Sequence, residues 1–360
     1  MATSIIVIFI ILAMAWANGA NDVSKGVATL SGSGVSSAAR ALAWGTFCTL
    51  LGGLAAAVWG AALINAFSSG FLAADFPVTL GFVGGVMTGA AVWVLLATRM
   101  GLPVSTTHAL LGGIVGAVLV LGGPEGLRTA AVTNKALLPL LLSPLLAIGL
   151  CWGLLLVARY VEKKVPSWRP GCCEQADWQR NPFVCAEPAT PVPPPLAQRV
   201  LTVLHWFSSG ATSFARGLND VPKIAAFLIL TLALSPGLAL SADNAVWPIM
   251  AVAVVMGMGG WWGGMRVLHV LAHRVSPLDS TRGLAANLGT SLLVLSATPL
   301  GLPVSTTHVS TGALMGVRWS EDAKPAQHDA LKLVLYGWLV TFPLAGGMAA
   351  SCAWLFQRLE

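Results

Sequence analysis

Two octapeptides and two heptapeptides carry most of the chemistry this sequence offers. Gly-Leu-Pro-Val-Ser-Thr-Thr-His occupies residues 101–108 and returns unchanged at 301–308. Gly-Ala-Asn-Asp-Val-Ser-Lys at 19–25 has a counterpart, Gly-Leu-Asn-Asp-Val-Pro-Lys, at 217–223. Asp22 and Asp220 stand in apolar surroundings, where an ionisable group is costly unless paired and usually marks an ion or substrate path. Lys25 and Lys223 follow three residues later, within helical reach of those carboxylates, so a purely structural ion pair is the competing reading. Recurrence in one Asn-Asp-Val-x-Lys frame favours function. The carboxylates, the amide oxygens of Asn21 and Asn219, and carbonyls freed near Gly19, Gly26, Gly217 and Pro222 are hard oxygen ligands. They suit a small cation such as sodium, with Asp22 and Asp220 as its anchors.

The octapeptides offer the opposite polarity. A Gly-Leu-Pro stop precedes Ser105, Thr106 and Thr107, and again Ser305, Thr306 and Thr307, each followed by helix-compatible residues. Hydroxyls and N–H groups at the positive end of a helix favour an anion, although an ordinary helix cap has the same appearance. Two such ends brought together would surround a tetrahedral oxyanion with donors. His108 and His308 close the motifs as further candidates, either to donate or to titrate, with a histidine bonded to a backbone carbonyl as the alternative.

The elements that must position these residues are membrane helices. Of the 360 residues, 56% are hydrophobic and 9% charged, against about 25% charged in a soluble domain. Apolar stretches approaching the roughly 20 residues needed to cross a bilayer recur throughout. The pattern predicts spans near 4–34, 38–64, 78–98, 101–122 and 136–158, then near 199–234, 246–266, 283–300, 301–317 and 331–357. The N-terminal stretch reads as the first span rather than a signal peptide, because it carries no Lys or Arg before its apolar run. The first span of each half is long enough to be two pieces around its Asn-Asp motif, so ten to twelve membrane segments are expected.

The motifs recur in one order and at nearly one offset, 19 to 217 and 101 to 301, which indicates an internal duplication. The first repeat is 1–158, a hydrophilic linker with Pro-Val-Pro-Pro-Pro is 159–197, and the second repeat is 198–360. Five spans before the linker force the second repeat to enter from the opposite side. The expected fold is therefore an all-α membrane protein of two inverted-topology repeats with broken helices at the midplane. Most basic residues outside the apolar segments fall on one side, the linker set among them, and only Arg128, Lys135 and Arg358 fall on the other. The positive-inside rule then places the linker in the cytoplasm. Its Cys172, Cys173 and Cys185 read as reduced thiols, and their spacing fits no standard zinc pattern. Cys48, Cys151 and Cys352 fall in spans and read as packing.

On its four motifs, which cover both halves of the chain, the sequence resembles the inorganic phosphate transporter family of sodium- or proton-coupled symporters. The resemblance implies an inverted-repeat transport fold, assembled as a homodimer. It implies that Asn21, Asp22, Asn219 and Asp220 line the cation and phosphate sites, and that Ser105, Thr106, Thr107, Ser305, Thr306 and Thr307 bind phosphate oxygens. The chain departs from the family pattern in three places. Thr46-Phe-Cys-Thr-Leu-Leu-Gly-Gly53 lacks the acid many members carry, with Cys48 about where it would fall. Lys25 takes a place often filled by a small or amide residue. Arg216 stands where a small residue or His is common. Lys25 and Lys223 join the substrate-site candidates, and Arg216 is a further one.

The expected function is gradient-driven import of inorganic phosphate across a bacterial or archaeal plasma membrane, without enzymatic chemistry. Sodium or a proton serves as coupling ion, and no other cofactor or nucleic acid is expected. A permease for sulfate or another oxyanion is the alternative within the class. A passive anion channel fits less well, because anion pores avoid fixed negative charge at the constriction.

Overall fold

Every long apolar stretch of the sequence is helical in the computed structural model, which describes residues 1–164, 196–235, 237, 246–273, 278–319 and 325–358. Helices satisfy each backbone N–H and C=O within the segment, a requirement wherever water is absent. The first half contains α1 (Ala2–Asp22), α2 (Ser24–Gly32), α3 (Ala38–Trp59), α4 (Ala61–Asn65), α5 (Leu80–Arg99), α6 (Thr106–Gly122), α7 (Thr129–Ala131) and α8 (Leu138–Lys164). The second contains α9 (Leu196–Ala233), α10 (Val246–Gly263), α11 (Met265–His273), α12 (Ser280–Ala297), α13 (Thr306–Trp319) and α14 (Pro325–Gln357). Among the described residues, six helical stretches are long and apolar enough to cross a membrane. Exposed Leu141, Leu145, Val157, Phe207 and Leu339 give the bundle the apolar outer surface that lipid requires.

Both long first segments differ from expectation. Their length allows each to be two pieces around its Asn-Asp-Val motif, with carbonyls freed there. In the first, only Val23 interrupts α1 and α2; its φ of −57° and ψ of −34° are helical, and its N–H still bonds Gly19 O at 3.1 Å. In the second, α9 runs unbroken through Gly217 and Pro222 for 38 residues. A single proline removes one ladder bond, which membrane helices tolerate. The helices have no need to unwind, because other elements come to the motif.

The chain breaks at the octapeptides, where their Gly-Leu-Pro stops predict it. After α5, Gly101 adopts φ +72°, its N–H bonds Thr98 O at 3.0 Å, and Leu102 N–H bonds Ala97 O at 2.8 Å. After α12, Gly301 adopts φ +67°, with Gly301 N–H to Thr298 O at 3.0 Å and Leu302 N–H to Ala297 O at 3.2 Å. These paired bonds form a Schellman cap, whose left-handed position favours glycine, and the following Pro103 and Pro303 stop the helix from resuming. An extended stretch then leads to α6 and α13.

The two halves interlock by exchanging helices. The last helix of the first half, α8, packs on α12 and α13, and the last of the second, α14, packs on α5 and α6. Likewise α3 packs on α9, and α1 on α10. Small residues permit the approach, as in membrane bundles generally. A Cβ on Gly19 would fall 1.9 Å from Met256 O, and one on Gly217 would fall 2.1 Å from Thr49 O, at corresponding places in the two repeats. Residues 165–195, including Cys172, Cys173 and Cys185, lie outside the described residues, while α8 and α9 extend into the expected linker from both ends. Cys48 and Cys151 are buried and Cys352 half-buried, all free thiols.

This packing yields a paired prediction. A Cβ at Gly116 would lie 2.1 Å from Gly346 O, whereas one at Gly149 meets nothing within 4 Å. Gly116→Ala should destabilise the detergent-purified protein by about 1–3 kcal/mol. Gly149→Ala should change stability by less than about 0.5 kcal/mol. Thermal unfolding followed by tryptophan fluorescence measures both, and equal melting temperatures would refute the interlock.

Candidate functional site

Asp22 and Lys25 form an ion pair in the first repeat, and Asp220 and Lys223 form one at 3.1 Å in the second. All four are at most 5% exposed. Helical spacing explains each pair locally, so the structural reading of the sequence holds this far. The remaining contacts go beyond it. Lys25 Nζ also donates to Val104 O at 3.1 Å and to Thr307 Oγ1. Lys223 Nζ donates to Val304 O at 3.1 Å and to Thr107 Oγ1 at 2.7 Å. Each ammonium is therefore enclosed by a carboxylate and a hydroxyl drawn from different repeats, with a carbonyl from an extended octapeptide stretch. Those stretches, and not the Asn-Asp-Val motifs, supply the freed carbonyls.

The asparagines anchor the stretches. Asn21 Nδ2 donates to Thr98 Oγ1 at 3.0 Å and to Leu102 O at 2.9 Å, while Asn21 Oδ1 accepts from Val104 N–H at 3.1 Å. Asn219 Nδ2 donates to Val304 O at 3.2 Å and Asp220 Oδ1 at 3.0 Å, and its Oδ1 accepts from Thr298 Oγ1 at 3.4 Å. Thr98 and Thr298 were not singled out in the sequence. The signal was present, since Ala97-Thr98 and Ala297-Thr298 recur at the same offset as the octapeptides that follow them.

The octapeptide side chains divide their work. Ser105 Oγ accepts from His108 N–H at 3.1 Å and Ser305 Oγ from His308 N–H at 3.2 Å, so both serines are N-caps of α6 and α13. Thr106 Oγ1 donates to Asp22 Oδ2 at 3.4 Å, and Thr306 Oγ1 to Asp220 Oδ2 at 3.5 Å. Thr107 and Thr307 cross to the opposite repeat, as above. His108 and His308 meet with ring centroids 4.4 Å apart. His108 Nδ1 lies 2.9 Å from Ser105 Oγ, and His308 Nδ1 lies 3.4 Å from Leu140 O.

Arg216 joins the cluster from α9 at 1% exposure. Its guanidinium donates to Thr49 Oγ1 at 2.8 Å and to Asn18 Oδ1 at 3.4 Å, and its Nε has no hydrogen-bond partner among the described residues. Asn18 in turn donates to Thr106 Oγ1 at 2.9 Å. Asn18 and Arg216 precede their respective motifs at matching positions, so they mark where the repeats diverge. Thr49 belongs to the stretch around Cys48, where the sequence lacks an acid. Three buried cations, Lys25, Lys223 and Arg216, thus face two carboxylates, Asp22 and Asp220. A buried excess of positive charge beside hydroxyls and helix N-termini is the electrostatic setting for an anion. Beside Gly101, a cleft of about 480 Å³ lined by Arg99, Arg266 and His269 adds basic character at one end of the bundle.

The comparisons with known proteins agree with this chemistry. A probable low-affinity inorganic phosphate transporter of Mycobacterium leprae is 26% identical over 99% of this chain and 78% of its own length. A putative phosphate permease of Pyrococcus furiosus is 26% identical, over 97% of this chain and 95% of its own. A solved structure described as the sodium-dependent phosphate transporter shares the fold with a TM-score of 0.82, at 20% identity and full coverage of both chains. The phosphate transporter family matches residues 18–349, both duplicated motifs included, and the chain belongs to that family.

Proposed function

We propose that this protein is a secondary transporter that imports inorganic phosphate, bound at the buried cluster between the repeats. The observation that carries this reading is the excess of cations over carboxylates at that cluster, set beside the N-termini of α6 and α13. The substrate brings the missing negative charge. Thr106, Thr107, Thr306 and Thr307 supply hydroxyls and the two α-helix starts supply dipoles, with Ser105 and Ser305 holding those starts in place. The lysines and Arg216 offset the charge of the anion. Asp22 and Asp220 are acceptors, which select phosphate over sulfate because only phosphate carries a proton to donate at neutral pH. They are also the groups through which sodium or a proton couples to the anion, with Asn21 and Asn219 beside them. His108 and His308 are the other candidate proton carriers. Alternating access follows from rocking one inverted repeat against the other.

The expected outcome for Asp22→Asn and for Asp220→Asn is loss of gradient-driven uptake, at least tenfold, in protein that remains monodisperse. Labelled phosphate uptake into proteoliposomes under imposed sodium or pH gradients measures it, with sulfate as competitor. Near-normal accumulation by both variants refutes a coupling role, and equal competition by sulfate refutes selection through the carboxylates.

The same reading places the linker in the cytoplasm. Exposed Arg159 lies at the linker end of α8, and exposed Lys135 precedes that helix at its other end. In a cysteine-free background, Lys135→Cys should react with an impermeant thiol reagent in intact cells, and Arg159→Cys should react only after permeabilisation. The opposite pattern reverses the orientation.

A further inference from the structure

The geometry points to Lys25 and Lys223 as built-in replacements for alkali cations, so that this chain binds its anion without sodium. The inference rests on the phosphate reading above and concerns the same cluster. Each ammonium occupies an oxygen cage made of a carboxylate, a backbone carbonyl and a threonine hydroxyl. For Lys25 these are Asp22, Val104 and Thr307; for Lys223 they are Asp220, Val304 and Thr107. Carboxylate, carbonyl and hydroxyl oxygens are the hard ligands that a small alkali cation selects. In this chain a tethered ammonium already holds the place, in both repeats and with the same three ligand types.

Two consequences distinguish a tethered cation from a diffusing one. A lysine ammonium is tethered at the site, so anion affinity loses its dependence on external sodium. The lysine also cannot cross the membrane with the substrate, so it adds no driving force. Both carboxylates are already engaged by ammoniums at one oxygen, which favours a proton as the coupling ion, carried by a carboxylate, by the phosphate itself or by the histidine pair. Arg216, held by neutral Thr49 and Asn18 rather than by a carboxylate, provides the charge that the anion offsets.

Calorimetry of phosphate binding to purified protein tests the inference, in choline buffer and in sodium buffer at equal ionic strength. The expected result is a wild-type Kd equal in the two buffers within about twofold. Lys25→Ala, assayed where size-exclusion shows it monodisperse, should bind at least tenfold more weakly in choline and recover on adding sodium, which then enters the vacated cage. Wild-type binding that improves tenfold or more with sodium overturns the inference, as does a Lys25→Ala protein that binds normally in choline or gains nothing from sodium. If Lys25→Ala does not fold, the wild-type comparison decides alone. Absence of phosphate binding in either buffer, with sulfate and arsenate also inert, refutes the anion site itself and this inference with it.

Discussion

The two buried aspartate–lysine pairs are the interaction around which the rest of the structure is arranged. Removing one partner of a buried pair leaves an uncompensated charge, typically at a cost of about 3–5 kcal/mol. The chain avoids that cost by surrounding each ammonium with oxygens from both repeats. Because Lys25 reaches Thr307 and Lys223 reaches Thr107, the electrostatic requirement of either repeat is met only when the other is docked against it. The two lysine–threonine contacts that complete the coordination of the ammoniums also hold the repeats together.

Those contacts depend on backbone carbonyls that point into the cluster, and helices do not expose carbonyls along their length. The Gly-Leu-Pro sequence resolves the difficulty. A left-handed glycine ends α5 and α12, proline prevents resumption, and the next residues run extended with Val104 and Val304 carbonyls free to accept. Asn21 and Asn219 then pin the extended stretches by side-chain amide bonds. The motif helices stay continuous, the octapeptides unwind, and the polar groups of one satisfy those of the other. A buried polar group without a partner costs about 1–3 kcal/mol, so neither motif is stable alone in an apolar bundle.

Symmetry is kept in the cages and broken beside them. Asn18 and Arg216 occupy equivalent places yet differ in charge, and they meet across the interface. With asparagine at both places the cluster would hold equal numbers of cationic and carboxylate side chains, and the single arginine makes the cationic ones the more numerous. Arg216 is buried as completely as the lysines, because α9 packs against α1 and α3 of the first half.

Apolar composition, the repeated motifs and their nearly constant offset were enough by themselves to establish a helical membrane protein of two homologous halves and to single out Asp22, Asp220, the lysines and the octapeptides. These properties are legible because they depend on residue type and spacing along one helix. The break at the octapeptides was legible from their Gly-Leu-Pro stops; the continuity of the Asn-Asp-Val segments was not, since glycine and proline occur there too. Only the tertiary structure shows that Gly217 and Pro222 remain helical. Nor does spacing reveal partners that arrive from elsewhere. Thr98, Thr298, Thr49 and Asn18 are ordinary membrane-helix residues until folding brings them to the amides and the guanidinium. The cross-repeat threonine contacts are of the same kind, because a hydroxyl 116 or 282 positions away becomes a lysine ligand only when the repeats dock. Local chemistry is written in the sequence, but which oxygen meets which charge is decided by helix packing, where small residues let backbones approach.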